Sequence, residues 1–203
     1  MTAVACDPTT SVTKSLLGYG VLAGPFYVVV SLIEAVTRQG FDLTKHPWSL
    51  LANGSLGWIH TLNLILSGMM VVAATQGMRR MGIKHGHLLL AGYGAGLIGA
   101  GIFRADPAAG FPQGESTEVT WHGTLHFVVA GIGFACLVAA CFALARRSGM
   151  VWFSRVTGVV FLAAFAGIAS GGGSVAMNLA FTAAVVLASV WLSVVSVRLY
   201  REA

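Results

Sequence analysis

Apolar residues along this chain run in blocks rather than alternating with polar ones, each block about 20 residues long and so able to cross a hydrocarbon core of roughly 30 Å as a helix. The blocks are Leu16–Thr37, Leu56–Gly77, His87–Phe103, His122–Ala145, Val151–Ser170 and Val175–Val197. Helices are expected because lipid offers an unpaired backbone no hydrogen-bond partner. The pattern predicts an all-α polytopic membrane protein, with six transmembrane helices in one bundle and a single domain spanning 1–203. The third block is the shortest and holds Gly92, Gly94, Gly96, Gly99 and Gly101, which predicts close helix packing through small residues.

Composition agrees with that pattern. Of the 203 residues 56% are hydrophobic and 9% are charged, too few charges to clothe a soluble globule. The net charge of +5 does not point to nucleic acid, because the basic residues sit in short clusters between apolar blocks. Lys14, Arg79, Arg80, Lys84, Arg146, Arg147, Arg155, Arg198 and Arg201 belong to one side, and Arg38, Lys45 and Arg104 to the other. By the positive-inside rule both termini are cytoplasmic.

The outer side then carries two long connections, Arg38–Ser55 and Arg104–Trp121, and a short glycine turn, Gly171–Ser174. Trp48, Trp58 and Trp121 are expected there as an interfacial aromatic belt. Cys6, Cys136 and Cys141 make no disulfide framework, since the last two lie inside an apolar block and read as buried thiols. No cleavable targeting signal is expected, because the tail before Lys14 is polar and the first block has full spanning length.

Candidate chemistry gathers toward the outer face. His122 and His126 are four residues apart, one helical face, where they can share a metal ion or a substrate. The pair lacks the glutamate of the zinc-protease motif and is too small to complete a zinc site, so a packing or hydrogen-bonded pair is the alternative. His60, Asn63 and Ser67 form a polar stripe on the second block, Asn178 and Thr182 lie near the outer end of the sixth, and Glu34 near that of the first. Such groups avoid lipid, so they line an outward polar pocket or bond between helices. Glu34 can also pair with Arg38. In the loops, Asp42 and His46 flank Lys45, and Asp106 precedes Pro107; carboxylates beside imidazoles suit acid and base work or metal ligation, and both aspartates also suit caps and turns.

Phe41-Asp42-Leu43-Thr44-Lys45-His46-Pro47-Trp48-Ser49-Leu50-Leu51, with Gly54 and Gly57-Trp58, resembles the first outer loop of the bacterial membrane family catalogued as domain of unknown function 998 (DUF998). Phe103-Arg104-Ala105-Asp106-Pro107, Gly110-Phe111-Pro112 and Trp121-His122-Gly123-Thr124-Leu125-His126 resemble its second signature. The resemblance implies six spans in a bacterial plasma membrane and brings no reaction, cofactor or substrate.

These residues fit three kinds of function. The first is a membrane enzyme acting on a lipid or small amphiphile, with Asp106, His122 and His126 as catalytic groups, metal-dependent through His122 and His126 or metal-free. The second is a carrier or receptor binding a small ligand through Glu34, Asp42, His46, His60, Asn63 and Asn178; the apolar inner halves and the lack of a repeat count against alternating access. An accessory protein binding a partner through its outer loops is a third. Haem, held by His60 and His126, ranks behind a divalent metal as a cofactor, because one haem leaves its electron without a second site.

Overall fold

The computed structural model describes residues 8–171 and 173–203, so Cys6 lies outside the described residues. Among the described residues the chain is all-helical: α1 (Pro8–Thr37), α2 (Gly57–Arg80), α3 (Gly86–Ile102), α4 (Trp121–Leu144), α5 (Val151–Ala169) and α6 (Val175–Glu202), with a short 3-10 turn at Trp48–Ala52. All six apolar blocks reappear as helices, the first and last extended into polar flanks that the apolar pattern alone did not mark. Five are long and apolar enough to cross a membrane. The other, α3, has 17 residues and a length of about 25 Å.

Each helix packs on its neighbours in sequence and α6 closes back on α1, giving a ring. α3 lies close against both of its neighbours. Gly94 meets Gly68 of α2, where an added Cβ would lie 2.8 Å from the Gly68 carbonyl oxygen, and Gly96 meets Gly133 of α4, where it would lie 2.7 Å from the Gly133 Cα. The glycines let three backbones approach with no side chain between them, the close packing expected from their density.

The two long connections and the short link between α5 and α6 share one end of the bundle, called here the loop end. The opposite end is sewn by basic residues: Arg80 Nε donates to Thr13 Oγ1 at 3.1 Å, Arg147 Nη1 to Glu202 Oε2 at 2.6 Å and Arg198 Nη1 to the Ser148 carbonyl at 2.9 Å. Both described chain ends therefore lie at that end. Cys136 and Cys141 are free thiols inside α4. Trp58 and Trp121 are exposed as an aromatic belt requires, but Trp48 is 5% exposed and packs on Tyr27, ring centroids 5.7 Å apart. The 3-10 turn that carries Trp48 folds inward over the bundle, which removes it from the belt.

Candidate functional site

The polar stripe of α2 is used in its seam with α1. Asn63 Nδ2 donates to the Tyr27 carbonyl at 3.1 Å and to Ser31 Oγ at 3.0 Å, and Ser67 Oγ donates to Asn63 Oδ1 at 3.4 Å. At the loop end of the same seam, His60 Nδ1 donates to Glu34 Oε2 at 3.0 Å, and Arg38 Nη1 lies 3.5 Å from Glu34 Oε1. Glu34 is 4% exposed and His60 0%, so this carboxylate is held between an imidazole and a guanidinium away from water. Arg38 Nη2 reaches back to the carbonyl of Leu51, at 3.1 Å, and to that of Asn53, which ties the first loop to α1. The pairing of Glu34 with Arg38 is thus present and extended by His60.

The first loop is a set of local bonds around Asp42. Its Oδ1 accepts from the Thr44 backbone N–H at 2.9 Å and hydroxyl at 2.6 Å, and these two bonds hold the Asp42 carboxyl below its ordinary carboxylate range. The Asp42 N–H donates to His46 Nδ1 at 2.9 Å, so the His46 proton sits on Nε2, which donates to the Ala109 carbonyl at 3.1 Å and clasps the two long loops together. Phe41, His46 and Phe111 stack beside that clasp, with centroids 5.2–5.4 Å apart. Asn178 Nδ2 donates to the carbonyls of Thr44 and Lys45 at 3.3 and 2.9 Å, which fastens α6 to the same loop.

In the second loop Asp106 accepts from the Thr120 N–H at 2.9 Å and from the Thr120 hydroxyl at 2.6 Å, while the Thr120 side chain accepts from the Gly123 N–H at 3.2 Å as the N-cap of α4. Glycine at 123 leaves room for this clasp, since a Cβ would fall 1.9 Å from Asp106 Oδ2 and displace that carboxylate. The histidine pair occupies two environments. His122 is exposed, with its ring 3.4 Å from that of Trp121, whereas His126 is buried and donates Nδ1–H to the carbonyls of Ala100 and Phe103 at 3.0 and 2.8 Å. Those carbonyls end α3 and have no helical partner, which is what fixes the His126 tautomer.

Below the loops, inside the ring, lies a cavity of about 610 Å³. Of the polar residues singled out in the sequence as candidate pocket or site groups, Asp106, His126, Asn178 and Thr182 line it, and Glu34, Asp42, His46, His60, Asn63, Ser67 and His122 do not. Its wall is mainly hydrocarbon. Phe134, Phe161, Phe165 and Phe181, from α4, α5 and α6, interlock with Phe134 at the centre, its ring 5.0, 5.1 and 5.9 Å from the other three. These rings were invisible as a site in the sequence because an aromatic inside an apolar span has no contrast with its neighbours. The polar pocket expected from the outer halves is therefore an apolar chamber with a polar rim, most of the polar groups being absorbed by helix seams.

The chamber is bounded most thinly between α4 and α5. Phe127 and Val128 border it although 63% and 50% exposed, and α5 has no buried residue beyond Phe161. Toward the opposite end the same two helices close, with Gly158 against Phe142 and Cys141.

Chemically, His126 presents an unprotonated Nε2 on a side chain that borders the cavity, a hydrogen-bond acceptor or base. Among the described residues no group of three His, Cys, Asp or Glu side chains is placed to hold a metal ion. Asp106 and His126 border one cavity, but the His126 Nδ1–H is oriented by carbonyls and the nearest bonds of Asp106 go to Thr120.

A ring of long apolar helices around an apolar chamber defines a multi-pass integral membrane protein. The chain belongs to the family described as protein of unknown function (DUF998), whose family model matches residues 21–198. No curated protein and no solved structure matches it.

Proposed function

We propose that the chain crosses the membrane six times with both termini cytoplasmic, and that the cavity, opening at the outer face, binds a lipid or small amphiphile. Support for the sixth span comes from α3 being flanked by α2 and α4 along the ring, a position in which local thinning of the bilayer offsets its short length. Support for the orientation comes from the basic residues, nine at the end that holds the chain ends and three at the loop end. A bacterial plasma membrane is the setting the family resemblance implies.

The observation that carries the binding reading is the chamber itself. Its volume of about 610 Å³ falls within the roughly 300–1,000 Å³ of small-molecule sites, and most of the polar groups on its hydrocarbon wall lie at the loop end. An occupant with an apolar tail and a polar head matches that polarity. Ala130 borders the chamber, so Ala130→Trp puts an indole into it and takes up part of the space an occupant needs. Native mass spectrometry of the full chain released from detergent micelles tests the reading: the unmodified protein is expected to retain an amphiphile that Ala130→Trp loses. Equal retention by both, or none by either, refutes it.

A second reading is acid and base chemistry on the bound amphiphile, and one observation favours it, the His126 Nε2 lone pair on an apolar-walled cavity that the Asp106 carboxylate also borders. In that reading His126 takes a proton from the ligand head and returns it, and Asp106 stabilises the imidazolium. Turnover of a retained amphiphile, abolished in His126→Phe while retention persists, is the expected result. Turnover unchanged in His126→Phe removes this reading and leaves binding alone.

A further inference from the structure

The groups fixed around the cavity's rim are biased in their hydrogen-bonding sense. His126 spends its one N–H on the Ala100 and Phe103 carbonyls, so Nε2 can only accept. Asn178 spends its amide on the Thr44 and Lys45 carbonyls, which leaves Oδ1 as an acceptor. Asp106 is acceptor-only when ionised and, beyond its two bonds from Thr120, has lone pairs to spare. The Thr124 hydroxyl donates to the Thr120 carbonyl at 2.9 Å and keeps only lone pairs. Ser49, Thr117 and Thr182 have hydroxyls of either sense and add no bias. The opposing groups are Lys45, an exposed ammonium already 3.6 Å from Asp42, and Trp48, whose buried indole N–H borders the cavity with no hydrogen-bond partner among the described residues. The Tyr93 hydroxyl belongs to a residue two helical turns from Ala100 along α3, away from the loop end.

Selection by such a site falls on the head of the ligand. A hydrocarbon tail gains little by leaving lipid for an apolar chamber, since both surround it with similar atoms. A head that brings only acceptors can pair with the Trp48 N–H but leaves His126, Asn178 and Asp106 facing lone pairs, whereas a head with donors satisfies those three. Building on the amphiphile-binding reading, we propose that the ligand is a lipid whose head presents hydrogen-bond donors, as hydroxyl or ammonium groups, in preference to one ending in an ester or a carboxylate.

The test uses the full chain in detergent micelles with ligands of one chain length, brominated in mid-chain so that a bound tail quenches Trp48, which borders the cavity. Subtracting the signal of Trp48→Phe isolates that residue from the other tryptophans. The ligands are a monoacylglycerol, a long-chain alkylammonium, a fatty methyl ester and a fatty-acid carboxylate. At least one donor-bearing ligand is expected to bind about tenfold tighter than the ester and the carboxylate, the effect of roughly one hydrogen bond made against one left unmade. Whichever of the two donor ligands binds identifies the head chemistry. The preference is expected to fall severalfold in His126→Phe, and if that variant does not fold, the ligand series on the unmodified protein decides alone. Equal binding of all four, or tighter binding of the ester or carboxylate, overturns the head preference and leaves the chamber as an amphiphile site. Absence of Trp48 quenching by any ligand refutes the binding reading beneath it.

Discussion

Replacing Glu34 by leucine isolates the role of the buried charge cluster. The Arg38 side chain is 9% exposed and that of Glu34 5%, with their charges 3.5 Å apart, and His60 is fully buried against the other carboxylate oxygen. Glu34→Leu leaves a buried guanidinium whose remaining partners are the neutral carbonyls of Leu51 and Asn53, and a buried imidazole N–H with none of its present acceptors. Breaking one side of a buried pair costs about 3–5 kcal/mol, because the orphaned charge keeps its desolvation penalty. Arg38→Met alone should cost a similar amount, leaving the carboxylate buried. The double variant is expected to recover part of that loss, since it removes both charges together. The assay is reversible unfolding of the full chain in mixed detergent and SDS micelles, followed by circular dichroism, for the four proteins of the cycle. A Glu34→Leu loss below about 1 kcal/mol would mean that the cluster is solvated like an exposed pair, and would refute the reasoning. So would strict additivity of the two single losses, because contacting charges must couple.

The clasp of Asp106 on the α4 cap predicts that Asp106→Ala and Gly123→Ala each cost about 1 kcal/mol, as helix-cap losses do, and that the double variant costs no more than the worse single, by the same unfolding measurement. Full additivity would show that the Gly123 Cβ does not act by displacing Asp106. At the α3–α4 crossing, Gly96→Ala should destabilise by about 1–3 kcal/mol through overpacking, while Gly18→Ala, whose Cβ meets nothing within 4 Å, should be neutral or slightly stabilising; equal effects would refute backbone contact as the reason for the α3 glycines. The Asp42 turn should depend on pH with a definite sign. Because the folded carboxyl titrates below its unfolded value, its stabilisation is present above the ordinary carboxylate range and is lost as pH falls through the lowered folded value. Protease cleavage within residues 42–46 should therefore rise on acidification below about pH 4 in the unmodified chain and show no such rise in Asp42→Asn; identical profiles would count against the turn.

The sequence by itself determined the helices, because the need to hide backbone polar groups from lipid acts block by block and leaves its mark in local composition. It also pointed to α3 as the close-packed helix, since glycine at that density has few other uses in a span. For single residues it narrowed the field without assigning roles. Glu34, His60 and Asn63 were recognisable as groups that must avoid lipid, but their partners Arg38, Ser31 and the Tyr27 carbonyl depend on how α1 lies against α2. The spacing of His122 and His126 is a property of one helix. That one ring stacks on Trp121 while the other caps the end of α3 depends on where a neighbouring helix stops. The chamber was least legible of all, because its wall is built from phenylalanines whose neighbours in sequence are equally apolar. What separates Phe161, buried against the ring, from Leu162, facing outward, is the angle at which α5 leans on α4 and α6, and only the tertiary packing of the six helices sets that angle.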